Sequence, residues 1–380
     1  MKKVVFLVNS DNVFLQNYIE ELHKAEKMKI TVISFVKTKR MPFYNKYGVK
    51  FIYMPQKQQI SNVSSVFYWL RAFMYIKQNK GQIDIAHVHL INCEEALKYA
   101  QILKRKNGKL ILTYWGGDVY AKSHETYMRE RKYLEEAHKI NVMADDMKEI
   151  LNREYDFAFD KKCEVVSFGN STLRYTDRYL SKYGEAGLKR IACKKFSFPM
   201  DKLVIAIGYS GRPQQQHIRV IKQIAKYDNE VKNKIFLYCH MAYDTNTENY
   251  MERVKRELKK TGCQYTVNEE YLNASQIAIM KMGVDIFVHA GKYDALSDSM
   301  LEYLYAGKKV FNPEWIEYGI FETKGIRDIK YADFEDLGNK LLLAIKDPYW
   351  PTEIKVNNRT KVGEISGWDD LLPQWLELYQ

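Results

Sequence analysis

Two carboxylates stand eight positions apart in the stretch from Asp294 to Glu302, with Ala295, Leu296, Ser297, Asp298, Ser299, Met300 and Leu301 between them. Ser297 has the side chain of a helix N-cap, and Gly307 sits where such a helix would end. Met300, Leu301 and Leu304 recur at helical spacing and should turn toward a core. The amides of Ser297, Asp298 and Ser299 then gather at a helix start, where orphan N–H groups and the helix dipole favour an anion. Asp294 before the helix and Glu302 within it flank that position.

Other segments put polar chemistry where a strand ends. Val204–Gly208 reads as a strand, followed by Tyr209-Ser210-Gly211-Arg212-Pro213 and a helix from Gln214. Pro213 suits a first helical position, and Arg212 can grip a diphosphate with two parallel N–H groups. His87 and His89 alternate on a strand that closes Asp84-Ile85-Ala86-His87-Val88-His89, so both rings point the same way and can offer imidazole to a hydroxyl or a phosphate. With no third ligand beside them, a metal site is not expected. Trp115-Gly116-Gly117-Asp118 ends another strand. Its glycines permit a sharp turn that leaves Asp118 exposed, either to orient an acceptor hydroxyl or take its proton, or to cap the next helix. Two more strands end at His240 and at Asn268, the latter followed by Glu269 and Tyr271.

The elements that must hold these residues follow from apolar runs. Strands are expected at Val4–Asn9, Lys29–Val36, Val49–Pro55, Ile83–His89, Lys109–Trp115, Ile140–Ala144 and Glu164–Phe168, alternating with helical stretches. Near-continuous apolar strands between helices imply parallel sheets covered on both faces, with ligands at the carboxyl ends of the strands. The fold class is therefore α/β, with two doubly wound domains. The boundaries read as residues 1–171, a linker over 172–202, a second domain over 203–362, and an amphipathic helix over 363–380 that packs back toward the first domain. After the first strand, Asn9-Ser10-Asp11-Asn12 lacks a G-x-G-x-x-G turn, which disfavours a dinucleotide dehydrogenase.

At 380 residues and 46% hydrophobic content the chain can build two full cores, and no apolar run is long enough to cross a bilayer. The apolar run after Met1-Lys2-Lys3 is too short for a signal peptide and reads as a strand. Five scattered cysteines fit a reducing cytosol. The charge is one-sided: residues 1–200 carry 35 Lys+Arg against 21 Asp+Glu, whereas the other 180 carry 24 against 26. Such a basic half suits a polyanion or an anionic membrane leaflet, or is simply a generally basic soluble surface, and no nucleic-acid partner is expected. The aromatic stretch from Ser64 to Ile76, bracketed by Arg71, Lys77 and Lys80, reads either as an interfacial helix or as a buried one.

Taken in order, these motifs resemble GT-B glycosyltransferases of the family 4 type. The spacing of Asp294 and Glu302, the pair Ala306-Gly307 and Val310 match that family's E-x7-E signature, with Asp294 in place of the first Glu. The strand histidines resemble its D-x-x-H-x-H. Trp115 to Asp118 is similar to its H-G-x-D, in a W-G-x-D form expected of transferases of 4-acetamido-4,6-dideoxygalactose.

The resemblance implies two Rossmann-like domains, the N-terminal one for an acceptor and the C-terminal one for a nucleotide-diphosphate sugar (UDP, or dTDP or GDP). It implies that Glu302 bonds ribose hydroxyls and that Asp294 bonds sugar hydroxyls. Arg212, the backbone of Ser210 and Gly211 and the amides from Ser297 through Asp298 and Ser299 to Met300 would hold the diphosphate, with Gly208, Gln216 and His217 on the donor side. His240, Asn268 and Tyr271 would lie on the donor side as well. Asp118, His89 and Asp294 are the implied catalytic residues. Retaining, metal-independent transfer without a cofactor is expected, to a glycan or polyprenyl-diphosphate-linked acceptor in bacterial surface polysaccharide synthesis. The corresponding place is the cytoplasm, peripheral on the inner face of the plasma membrane. A sugar-nucleotide epimerase of the same fold and a non-catalytic sugar-nucleotide-binding subunit are the alternatives.

Overall fold

The structure, a computed structural model, describes residues 1–8, 13–242, 249–294 and 296–380. The turn at Asn9 to Asn12 therefore lies outside the described residues, as does Ala295.

The chain divides into two compact units, Met1–Gly169 with Trp368–Gln380, and Asn170–Gly367. The first holds a seven-stranded sheet of β1 (Lys2–Val8), β2 (Met28–Ser34), β3 (Lys50–Tyr53), β4 (Ile83–His89), β5 (Lys104–Thr113), β6 (Lys139–Val142) and β7 (Cys163–Val165). Their order is β3-β2-β1-β4-β5-β6-β7. The second holds β8 (Leu203–Ile207), β9 (Ile235–His240), β10 (Gln264–Asn268), β11 (Ile286–Val288), β12 (Lys309–Pro313) and β13 (Ile329–Tyr331), ordered β10-β9-β8-β11-β12-β13. Every ladder is parallel. In each sheet the strand order reverses beside the first strand, between β1 and β4 and between β8 and β11. Those two crevices, at the carboxyl ends, are where such sheets hold ligands.

Strand pleat explains the two-sided cores. Val5 and Leu7 of β1 enter one apolar cluster, while Val4, Phe6 and Val8 enter the other. Ile205 and Ile207 of β8 likewise face away from Val204 and Ala206. The strands named from the sequence are all present, most of them ending one to three residues earlier than read.

Three boundaries differ from the reading of the sequence. Residues 172–202 are not a free linker: Ser171–Phe196 is helical, kinked at Gly184 (φ 65°), and packs against the Ala274–Gly283 helix. A Cβ on Gly283 would stand 2.8 Å from that of Ala192, so the two backbones approach closely because a small residue faces a glycine. Residues 363–366 end the Thr352–Ser366 helix of the second unit, and the returning element is the shorter Trp368–Glu377 helix of the first. Its Trp368 and Trp375 are buried with Tyr18 and Phe6. After β8 no helix starts at Gln214. Pro213–Gln215 makes a single 3-10 turn, and Gln216 (φ 52°) breaks it before the His217–Ile224 helix.

Candidate functional site

At the β8/β11 crevice two loops are laced together. Gly208 leaves β8 with φ +63°, and its amide donates to Val288 O at 3.1 Å. A Cβ there would meet His217 Nε2 at 2.5 Å, so the turn demands glycine on two counts. Gln216 Nε2 donates to Ala290 O at 2.9 Å, and the Lys292 amide donates to Gln214 O at 3.0 Å. Tyr209 Oη donates to Asp294 Oδ2 at 2.9 Å. Burial, then the Asp294 charge, holds the Tyr209 phenol well above its ordinary range, so it stays a donor. His289 Nε2 lies 3.1 Å from the same carboxylate oxygen, out of line for a hydrogen bond, while its Nδ1 sits 2.9 Å from Asn312 Oδ1.

The helix over Asp298–Tyr305 forms as its sequence implies. Ser297 Oγ accepts from the Met300 amide at 3.3 Å, Gly307 takes φ +73° just past the end, and Met300, Leu301 and Leu304 are buried. Glu302 is only 8% exposed. Its Oε2 meets Lys281 Nζ at 2.5 Å, and its Oε1 accepts from Asn170 Nδ2 at 3.0 Å. The buried Lys281 also donates to Ser299 O and Oγ, both at 2.8 Å, and lies 4.1 Å from the centre of the Tyr303 ring. Burial pulls the Lys281 ammonium down and Glu302 opposes that pull. Asp298, one turn before Glu302, is pushed up to about 7 by burial and by the Glu302 charge. Lys281 thus offsets the acids around a helix start that would otherwise repel an anion. A carboxylate has about four lone-pair sites, so Glu302 can still accept from a ligand hydroxyl.

The remaining expected donor residues scatter in role. Ser210 and Gly211 are buried in the loop after β8, and Arg212 is exposed at the start of the 3-10 turn. His217 is fully buried beneath Gly208, its Nδ1 3.3 Å from Tyr250 Oη, and burial pushes it down to about 4. It supports the turn from behind, as a neutral ring. Gln216, also buried, holds the β11 loop rather than an exposed position. His240 is buried at the end of β9, its Nε2 3.3 Å from Glu270 O, and is likewise pushed down to about 4. Asn268 bonds Tyr238 Oη (3.2 Å) and the Glu270 amide (3.0 Å), shaping the turn that leaves Tyr271 half exposed.

In the first unit two expectations are corrected. Asp118 is not exposed: it is 4% accessible, and its carboxylate accepts from the amides of Ile91 (2.6 Å), Trp115 (2.8 Å) and Gly116 (2.9 Å). It fastens the loops after β4 and β5 to each other, because orphan amides of two sharp turns converge on it. His87 and His89 do share a face, their ring centres 3.9 Å apart, but both are fully buried, covered by the aromatic residues of the returning C-terminal helix. Tyr18 donates to Tyr379 Oη at 2.7 Å, and Tyr379 sits 2.9 Å from His87 Nδ1. The proton of this neutral ring therefore lies on Nε2, which meets Thr113 Oγ1 at 2.6 Å. His89 differs: neither ring nitrogen has a partner, and burial pushes it down to about 3.

Residues 3–146 match the family model described as glycosyl transferase 4-like. No curated protein matches the sequence significantly. Among solved structures, a glycosyltransferase from Rickettsia africae superposes with a TM-score of 0.75 at 18% identity, covering 100% of this chain and 98% of its own. The fold is GT-B. Another GT-B neighbour is Anabaena HepE in complex with UDP and glucose, with a TM-score of 0.67, 12% identity and 99% of each chain covered. The UDP-GlcNAc 2-epimerase of Neisseria meningitidis, bound to UDP-GlcNAc, is also similar (TM-score 0.62, 12% identity, 99% of this chain and 100% of that one).

Within the GT-B frame, four residues escaped the sequence reading: Lys281, Asn170, Tyr209 and His289. Lys281 had one visible signal, a single charge inside the apolar run from Ile277 to Met282. Asn170 had none beyond its cap position before the Ser171–Phe196 helix.

Proposed function

We propose that this chain is a glycosyltransferase that takes its sugar from a nucleotide-diphosphate donor, a UDP-sugar before dTDP- or GDP-sugars. The observation that carries the reading is the clamped Glu302 beside the start of the Asp298–Tyr305 helix, at the strand-order reversal of the second sheet. Glu302 receives the ribose hydroxyls, Asp294 (held by Tyr209) the sugar hydroxyls, and Arg212 with the helix-start amides the diphosphate. Preorganised donors of this kind lower the cost of the departing diphosphate by several kcal/mol. The transfer proceeds with retention and needs no metal, so activity should be unchanged by EDTA. A strict Mg²⁺ requirement would count against it.

The acceptor is a glycan, carried on polyprenyl diphosphate at a membrane, in surface polysaccharide assembly. A 4-acetamido-4,6-dideoxygalactose donor is the finer expectation from the W-G-x-D form. On the acceptor side Asp118 positions the loops after β4 and β5, and the buried His89 supports them from within the sheet.

Calorimetry with UDP, dTDP and GDP tests the donor site directly. UDP binding that weakens about tenfold in Glu302→Gln is expected, since one good polar contact is worth about 1.4 kcal/mol. Equal binding by the variant would overturn the assignment. Incubation of UDP-GlcNAc without an acceptor tests the epimerase alternative, which the similarity to the Neisseria enzyme keeps in view. An epimer formed under those conditions would favour it.

A further inference from the structure

The Val63–Gln78 helix presents two apolar faces, and its unit covers only one of them. Ala72 and Ile76 are buried, and Trp69 and Tyr75 pack partly against the core. The opposite side exposes Val63, Val66, Phe67, Leu70, Phe73 and Met74, with Val63 at 87% and Phe67 at 61%. Their spacing places all six on one stripe down the helix. Single exposed apolar side chains are ordinary, but a contiguous stripe of six marks an interaction surface.

The segment that carries this stripe has charge of one sign. From Lys27 to Ile83, a run of 57 residues, the chain has 11 Lys and Arg and no Asp or Glu. Arg71 and Lys77 are exposed on the helix itself. Lys37 holds its ammonium 5.9 Å from the Tyr68 ring, and Lys50 holds its own 4.4 Å from the Tyr75 ring, so cations reach the helix from β3 and from the loop after β2 as well. A second copy seated here would bring this same acid-free segment against itself, and like charges disfavour that. An anionic bilayer meets both properties, because its headgroups take the cations while the acyl boundary takes the stripe.

We propose that the Val63–Gln78 helix lies in the surface of an anionic membrane, with Phe67, Leu70 and Met74 below the headgroups. This deepens the reading of a membrane-carried acceptor, yet its test is independent of the donor site. The full-length chain is floated with vesicles of phosphatidylglycerol and phosphatidylcholine, and with vesicles of phosphatidylcholine alone. Two variants are compared, Phe67→Ser with Leu70→Ser, and Arg71→Gln with Lys77→Gln; all four positions are exposed, so the fold should survive. Circular dichroism and melting temperature check that it does.

The wild type should bind the anionic vesicles and release them as salt rises. The charge variant should lose about thirtyfold in partitioning, at roughly 1 kcal/mol for each of its two cations. The serine variant should lose at least about tenfold on the same vesicles, with its residual binding still salt-sensitive. Wild-type protein that ignores anionic vesicles, or a serine variant that floats like the wild type, would overturn the proposal. So would a serine variant that instead dissolves a dimer in sedimentation velocity. Vesicle binding without any response to UDP would sink the donor reading and leave this one standing.

Discussion

Lys281 interrupts the apolar run Ile277-Ala278-Ile279-Met280-Lys281-Met282 at a point where a helix would be buried anyway. Helical spacing says that the position is inside. It cannot say that a carboxylate 21 residues later waits for the charge, because that pairing exists only after two helices pack. The placement of Asp294 before a helix and of Glu302 within it was legible because their spacing spans one local element, and that of Arg212 because it follows a glycine turn. Asp118 was read as exposed but is buried, since the amides that enclose it come from two separate loops. Lys281→Met should destabilise the protein by about 3–5 kcal/mol, the usual cost of stranding one member of a buried ion pair. Lys281→Arg should recover part of that, along with UDP affinity measured well below the melting temperature. Gly208→Ala should cost about 1–2 kcal/mol from its backbone alone, and more from the contact with His217, in a denaturant titration. A titration indistinguishable from wild type would mean that the turn relaxes freely.

Among the elements, the strands were readable because Val, Ile and Phe fill them without a polar break, while their ends were over-extended where the apolar run outlasts the ladder. The segment over 172–202 was misread for the opposite reason. Its basic, Tyr-rich composition and Gly184 resemble a connection, yet Leu188, Ala192 and Cys193 are spaced to bury one stripe. The Val63–Gln78 stretch kept both its readings until packing divided its apolar residues between core and surface. The Trp368–Glu377 helix was recognised as returning, but not that it roofs the strand histidines. Trp375→Ala should cost about 3–5 kcal/mol, as large-to-small changes in a core do. Tyr379→Phe should cost about 1–2 kcal/mol by ending the hydroxyl chain from Tyr18 to His87. Chemical denaturation checks both, and Tyr379→Phe matching wild type would show that the chain contributes nothing net.

Across the whole molecule, buried histidines set an acid limit that each unit meets with two. His89 is pushed down to about 3, His217 and His240 to about 4, and His87 also well below its ordinary value near 6.5. The unfolded chain takes up these protons below about 6.5, and the folded chain only near its lowered values. Their contribution is therefore full above about 6.5 and is lost as pH falls through 4 toward 3, by about 1.4 kcal/mol per pH unit for each ring. Asp298 works against one of them: raised to about 7 from 3.8, it favours the folded state as pH falls between those values. Melting temperature should consequently drop steeply between about pH 5.5 and 4, and a flat profile there would mean that the rings are already solvated.

The first unit closes its sheet with residues that the ribosome makes only after the whole of the second unit. Its core lacks Trp368, Trp375 and Tyr379 until 198 intervening residues have formed the second unit, whose own chain is unbroken from Asn170 to Gly367. Domains usually mature in the order they are synthesised, but here the order is inverted. A nascent chain stalled before Trp368 should contain a protease-resistant second half and an unfinished, chaperone-prone first half.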